Sequence, residues 1–248
     1  MKAVELQGLT RRFKDKLAVD HLNLSLEKGE LFALLGVNGA GKTTTIRMLC
    51  GLLPPDEGDA LLMGHSIVHE PELAKAQLNV SPQETAVAPN LTVRENLCFI
   101  AQLYGADSRS AREKASQQIA DFHLEDKADK RAKTLSGGQQ RRLSIAMALI
   151  SQPKLLFLDE PTLGLDVLAR RELWQQIRAL HGKVTIILTT HYLEEAEALS
   201  DRIGIMVNGH LTALGSAAEL IAQAGASNFE DAFIALAEKE GMQACRHG

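Results

Sequence analysis

The chain has 248 residues, 45% of them hydrophobic and 23% charged, with a formal net charge of −4. That is the composition of a globular protein with an ample core, and it offers no global basic field to draw in nucleic acid. Cys50, Cys98 and Cys245 stand far apart, which sets aside a disulfide framework and fits a reducing compartment. The longest apolar runs, such as Leu143–Ile150, fall short of the ~18 residues of a membrane span. The N-terminus has no signal-peptide apolar region, and the basic run Lys127, Lys130, Arg131, Lys133 reads as a solvated face.

The opening stretch reads as antiparallel β. Leu22, Leu24 and Leu26 alternate with Asn23, Ser25 and Glu27, the period-2 pattern of a strand with one buried face. After a Lys28-Gly29 turn, the apolar run Leu31–Leu35 is a buried strand. Ile46, Leu49, Leu52 and Leu53 then fall at helical spacing, with Gly51 and Pro54-Pro55 ending the helix. Ala60–Met63 is a short strand. From about Leu91 to Ile150 the pattern is almost wholly helical. Thr92-Val93-Arg94-Glu95 is a capping box opening a helix that ends near Gly105, a charged helix follows, and Ser136-Gly137-Gly138-Gln139 opens another. Strands resume at Leu155–Leu158 and Val184–Leu188, continuous apolar runs suited to a parallel sheet covered on both faces. A helix with Leu173, Trp174, Ile177 and Leu180 separates them, which is βαβ logic. Ser227-Asn228-Phe229-Glu230 is a further capping box, before a helix carrying Phe229, Phe233 and Leu236 on one face.

Three motifs carry chemistry. Gly36-Val37-Asn38-Gly39-Ala40-Gly41-Lys42-Thr43 fits the phosphate-binding loop pattern between a buried strand and a helix. Glycines let backbone N–H groups converge on phosphate oxygens, Lys42 reaches the terminal phosphates, and the Thr43 hydroxyl suits Mg²⁺. Leu155–Leu158 delivers Asp159 and Glu160 at the carboxyl end of a strand, where ligands of open α/β sheets bind. Asp159 suits holding Mg²⁺ and Glu160 suits polarising an attacking water. Leu135-Ser136-Gly137-Gly138-Gln139-Gln140 puts two poor helix formers in a first turn, a weakness expected where a phosphate approaches the backbone.

Together these motifs resemble, over residues 1–220 and in the family's order, the nucleotide-binding subunits of ATP-binding cassette (ABC) transporters. Gly36–Thr43 matches the Walker A loop, Gln83 the Q-loop glutamine, and Leu135–Gln139 the signature that separates this family from other phosphate-loop proteins. Leu155–Glu160 matches Walker B, Gly164-Leu165-Asp166 the D-loop, and His191 the switch histidine. Asp201-Arg202-Ile203-Gly204 imitates a short pattern of GTP-binding switch proteins, but their base-reading motif is missing. The resemblance implies an α/β, P-loop NTPase fold: a RecA-like parallel sheet core, an antiparallel β subdomain, and an inserted helical subdomain at about 88–150. The ATPase domain would occupy 1–220, with 221–248 a short C-terminal helical extension.

The resemblance also implies roles. Glu160, His191 and Gln83 are catalytic. Phe13 stacks on adenine, and Asn38, Gly39, Ala40, Gly41, Lys42, Thr43 and Thr44 hold ATP. Ser136, Gly137 and Gly138 bind ATP across a head-to-tail dimer, Gln139 and Asp166 also belong to the nucleotide site, and Thr43, Gln83 and Asp159 hold Mg²⁺. Val37 and Val167 stand where the family often has proline. His65, His69 and the other histidines read as structural. Thr189–Glu197, with Trp174 upstream, resembles the exporter-type subfamily associated with drug, lipid or polysaccharide efflux.

The expected partners are a second copy or a homologous ATPase subunit and a transmembrane permease subunit, with no nucleic acid. The expected location is cytoplasmic, peripheral on the inner face of the membrane through the permease. The alternative is an ABC ATPase that regulates a membrane-bound partner without transport.

Overall fold

The structure, a computed structural model, describes residues 2–14 and 16–244. It begins with a long antiparallel hairpin, β1 (Lys2–Phe13) and β2 (Lys16–Glu27). The alternation in β2 works as expected: Leu22, Leu24 and Leu26 are buried and oppose Leu9, Leu6 and Val4. β1 also pairs with β4 (Glu57–Leu62), and β4 with β5 (His65–Ser66), giving a four-stranded sheet in the order β2-β1-β4-β5. Met63 is not in the strand: at φ 51 it begins the turn to β5.

The second sheet has six strands in the order β10-β9-β3-β8-β7-β6. β3 (Leu31–Leu35) lies at its centre, between β8 (Thr185–Thr190) and β9 (Arg202–Val207), and β7 (Leu155–Asp159) follows β8. β6 (Leu78–Ser81) completes the parallel run, while β10 (His210–Gly215) pairs antiparallel at the other edge. β3, β7 and β8 are buried along their whole length, as strands covered on both faces must be.

β6, β9 and β10 have no counterpart in the sequence expectation. Asp201–Gly204, which imitates a motif, proves to be a structural stitch. Asp201 Oδ2 accepts from Leu31 N at 2.8 Å, and Arg202 Nη1 donates to Glu30 Oε1 at 3.1 Å. A Cβ on Gly204 would come within 2.7 Å of the Phe32 ring, so the strand needs glycine there.

α1 (Lys42–Leu49) stops at the first of its two expected ends, Gly51, which leaves Leu52 and Leu53 outside it. Gly51 takes φ 67 and Leu52 turns out to solvent, because a left-handed glycine ends the helix there. A short α2 (Pro71–Lys75) precedes β6. The helical lobe consists of α3 (Val93–Leu103), α4 (Ser108–Asp121) and α5 (Gly137–Leu149). Both expected capping boxes form, at Thr92 with Glu95 and at Ser136 with Gln139. Ala111, Ala115 and Ile119 recur every fourth residue on the buried face of α4, small enough at two positions to let α3 come close. These side chains share one core with Leu31, Ala33, Leu156 and Ile186 of the large sheet, so the lobe is packed onto the sheet as well as inserted in the chain.

α6 (Val167–Arg178) and α7 (Leu193–Leu199) flank β8 in the chain, and α8 (Ala217–Ala224) and α9 (Phe229–Ala244) follow β10. The domain division expected after residue 220 falls inside α8. The cap of α9 sits one residue later than its pattern suggests: Asn228 Oδ1 accepts from Asp231 N at 2.9 Å, since Phe229 is already helical. Phe229 and Leu236 are buried against the domain's own core. Residues 245–248, Cys245 among them, lie outside the described residues.

Candidate functional site

The loop between β3 and α1 is held from behind. Gly36 N donates to Thr190 O at 3.3 Å, Ala40 N to Val37 O at 3.2 Å, and Gly209 N to Ala40 O at 2.9 Å. Gly41 has φ 111, and a Cβ there would stand 2.3 Å from Ala18 O. Only glycine fits both the conformation and the space. Gly39, at φ 82, turns the loop outward. The loop thereby wraps Lys42, whose ammonium donates to Gly36 O at 2.7 Å and Val37 O at 3.2 Å. Burial pulls the Lys42 pKa below that of an ordinary lysine, against the opposing pull of Glu160 and Asp159.

The two carboxylates stand where the sequence puts them, at the carboxyl end of β7. Asp159 accepts from Thr43 Oγ1 at 3.2 Å and from the Thr189 hydroxyl. Glu160 takes the left-handed conformation, φ 47, with its N–H donating to Thr189 O and Thr189 Oγ1, each at 3.1 Å. Its carboxylate faces Lys42 Nζ at 3.8 Å on one side and His191 Nδ1 at 3.0 Å on the other. The His191 contact is close but not aligned as a hydrogen bond. Thus three separate strand ends, those of β3, β7 and β8, place a buried cation, two buried carboxylates and an imidazole within one constellation.

A cavity of about 500 Å³ opens over it. Asn38, Gly39, Gly41, Lys42, Thr43 and Thr44 line it, together with Gln83, Glu160 and His191. Phe13 stands at the rim, 43% exposed, with the Arg11 guanidinium 5.0 Å from its ring centroid. That exposure excludes a core role for this aromatic. Ala40 is the one loop residue of the expected set that the cavity does not expose: it is buried, with its N–H turned to Val37.

Ser136, Gly137, Gly138, Gln139 and Asp166 are absent from this cavity. They sit at the starts of α5 and α6, where Asp166 caps α6 by accepting from Leu168 N and Ala169 N, each at 2.9 Å. The two signature glycines differ. A Cβ on Gly138 would lie 3.0 Å from Ala169 Cβ, so packing onto α6 accounts for it within the chain. A Cβ on Gly137 would meet nothing within 4 Å, so nothing in the chain itself requires glycine there.

Sequence reasoning missed Lys16, Ala18 and Leu163, which also line the cavity. Lys16 arrives by hairpin register: its ammonium is 3.8 Å from where a Gly39 Cβ would stand. It also missed Arg141, a buried guanidinium on α5 that donates to Pro82 O at 2.6 Å and to Gln83 O. No local pattern announces either residue. His65 and His69 stay apart from the site, with His65 Nδ1 3.6 Å from Glu70 Oε2.

Mg²⁺ fits the donors present. Thr43, Asp159 and the nearby Gln83 offer hard oxygens, and the described residues hold no cluster of three or more His, Cys, Asp or Glu. That is the sparse protein contribution typical of Mg²⁺ bound largely through phosphates and water.

Comparison with known proteins places this constellation. Residues 19–163 match the family described as ABC transporter. The daunorubicin/doxorubicin resistance ATP-binding protein DrrA of Streptomyces peucetius is 43% identical over 227 residues, covering 91% of this chain and 69% of that protein. The human phospholipid-transporting ATPase ABCA3 is 45% identical over 227 residues, covering 90% of this chain, which spans only 13% of ABCA3. Among solved structures, cbiO1 of Clostridium perfringens, part of the ABC transporter complex cbiONQ, superposes with a TM-score of 0.82 at 26% identity, covering 90% of this chain and 91% of that one. The chain belongs to the ABC transporter family, as one of its ATPase subunits.

Proposed function

We propose that this chain binds ATP with Mg²⁺ in the cavity above Gly39–Thr44 and hydrolyses it to drive export through a separate membrane partner. The observation that carries the reading is the convergence of Lys42, Glu160 and His191 on one cavity at the carboxyl ends of three strands, with Asp159 accepting a hydrogen bond from Thr43 of its lining. Lys42 and the loop amides neutralise phosphate charge, and Phe13 offers a ring face for the base at the rim. Thr43, Asp159 and Gln83 hold Mg²⁺, which supplies charge stabilisation to the transferring phosphoryl group. Glu160 orients and polarises the attacking water, and His191, lodged beside it, contacts the terminal phosphate.

The site is one-sided in a single chain. Gly137 is a helix-opening glycine with open space before it, and Ser136 and Gln139 satisfy each other's backbone in a capping box. The amides of Gly137 and Gly138, which the capping box does not use, are left to meet an anion from outside. This supports a head-to-tail pair, either two copies or this chain with a homologous ATPase, in which Ser136–Gln139 and Asp166 of one member close the cavity of the other. Among the described residues no helix is long and apolar enough to cross a membrane. A permease subunit that holds the pair at the inner face of the membrane, in the cytoplasm, completes the reading. The relative named for drug resistance supports export as the direction.

The test is ATP turnover with Mg²⁺ in the wild type and in Glu160→Gln. A general base contributes about 10²–10⁴-fold, so turnover is expected to fall by that order while nucleotide binding persists. Undiminished turnover would remove Glu160 from the mechanism.

A further inference from the structure

Trp174 and the segment after His191, the two features that suggest the exporter type, meet in space. Trp174 Nε1 donates to Glu195 Oε1 at 3.1 Å, and Glu195 is fully buried. Between the helix of Trp174 and the start of α7 lies one guanidinium. The Cζ of Arg170 is 5.5 Å from the Trp174 ring centroid and 5.9 Å from that of Tyr192, and its Nη2 is 3.5 Å from Glu194 Oε2. Arg170 is one turn into α6, its N–H donating to Asp166 O at 2.9 Å. Tyr192 directly follows His191, and the two rings lie 4.1 Å apart.

We propose that Arg170 is a positioning residue for His191. Its guanidinium, held between the Trp174 and Tyr192 rings, ties the Asp166 turn of α6 to the imidazole that faces Glu160. A planar, delocalised cation can lie against two aromatic faces and still reach a carboxylate, which a lysine ammonium cannot do as well. The helix start that Asp166 caps is the element proposed to meet the second copy. Arrival of that copy therefore moves Arg170, and Arg170 moves His191. The fold does not depend on this contact: α7 is already anchored by Ala196 and Leu199 in the core. The inference rests on the reading of Glu160 and His191 as the hydrolytic pair.

The chain has a single tryptophan, so emission excited selectively at tryptophan reports on this cluster alone. In Glu160→Gln protein, Mg-ATP is expected to shift Trp174 emission, and adding Arg170→Ala is expected to abolish the shift while thermal-shift assays still show ATP bound. In otherwise wild-type chain, Arg170→Ala is expected to lower kcat by about 10- to 100-fold, the range for a misplaced catalytic group. KM should stay unchanged, and Arg170→Lys should recover only part of the rate. In a His191→Ala background the same change should cost nothing further. An emission shift that survives Arg170→Ala, or no shift although ATP binds, overturns the proposal. So does a loss that adds to that of His191→Ala, or one confined to KM. Failure of the hydrolytic reading is separately visible, as a Glu160→Gln chain that turns over normally.

Discussion

The guanidinium of Arg141 donates to the backbone carbonyl of Gln83. It joins the helix that Ser136 opens to the glutamine beside the nucleotide cavity. Arg141 is only 4% exposed and makes a second bond to Pro82 O at 2.6 Å. A buried cation of this kind persists only because carbonyl dipoles meet it. Arg141→Met would orphan both carbonyls. Hydrogen bonds to charged groups contribute about 1.5–3 kcal/mol, so the variant is expected to lose stability of that order and also to weaken Mg-ATP turnover. Urea unfolding beside an ATPase assay checks both; a variant as stable as wild type would show that the bonds are dispensable.

Lys42 is fastened to Gly36 and Val37 by its ammonium. Its removal orphans those two carbonyls as well as the phosphate, so stability without nucleotide should fall along with binding. ATP at about 100 times its Kd stabilises a folded protein by ~2.7 kcal/mol. That increment is expected in wild type and absent in Lys42→Ala, measured as the ATP-dependent change in urea midpoint. An unchanged increment would mean that the loop binds nucleotide without its lysine.

The signature glycines give a sharper contrast. Gly137→Ala meets no neighbour in the chain, and alanine in a helix is favoured over glycine by up to ~1 kcal/mol. The variant is expected to be at least as stable as wild type, yet to hydrolyse ATP more slowly if a second copy's nucleotide must approach that backbone. Gly41→Ala, whose Cβ would strike Ala18 O, is expected to lose stability and binding together. Equal turnover by Gly137→Ala and wild type would argue against the shared site.

Glu195 carries a pH dependence. Burial pushes its pKa above that of an exposed glutamate, opposed by the hydrogen bond from Trp174 and by the charge of Arg170. A carboxyl raised in the folded state favours folding while both states are protonated. That advantage is lost as pH rises from the unfolded value through the raised one. Glu195→Gln keeps an acceptor for Trp174 Nε1 without the charge. Relative to wild type it should therefore be more stable at about pH 8 than at about pH 4. Urea midpoints at the two values decide it: a difference that does not grow with pH contradicts the raised pKa.

What the sequence made legible follows from the range of the interaction. The alternation in β2, the capping boxes at Thr92 and Ser136, and the strand-loop-helix around Lys42 all depend on residues a few positions apart. So does the delivery of Asp159 and Glu160 at a strand end. Lys16 and Arg141 reach their places through hairpin register and helix packing, which no local pattern encodes. Leu52 sits at helical spacing yet lies beyond α1, since the left-handed Gly51 overrides periodicity. β9 is masked in the sequence because Arg202 and Gly204 interrupt its apolar run; both are explained by partners distant in the chain, among them Glu30 just before β3 and Phe32 within it.

The central position of β3 also governs the order in which the molecule can assemble. Leu31 pairs with Ile186 and Phe32 with Arg202, so both neighbours of the strand that carries the phosphate loop come from the last third of the chain. Contacts so distant in sequence form late, whereas the β1–β2 hairpin and the α3–α4 pair close locally. A nascent chain ending before residue 185 holds every residue of the Gly36–Thr43 loop and neither strand that flanks it. The signature helix and both acidic residues are already made by then, and they wait for β8 and β9 before the loop has a sheet to stand on.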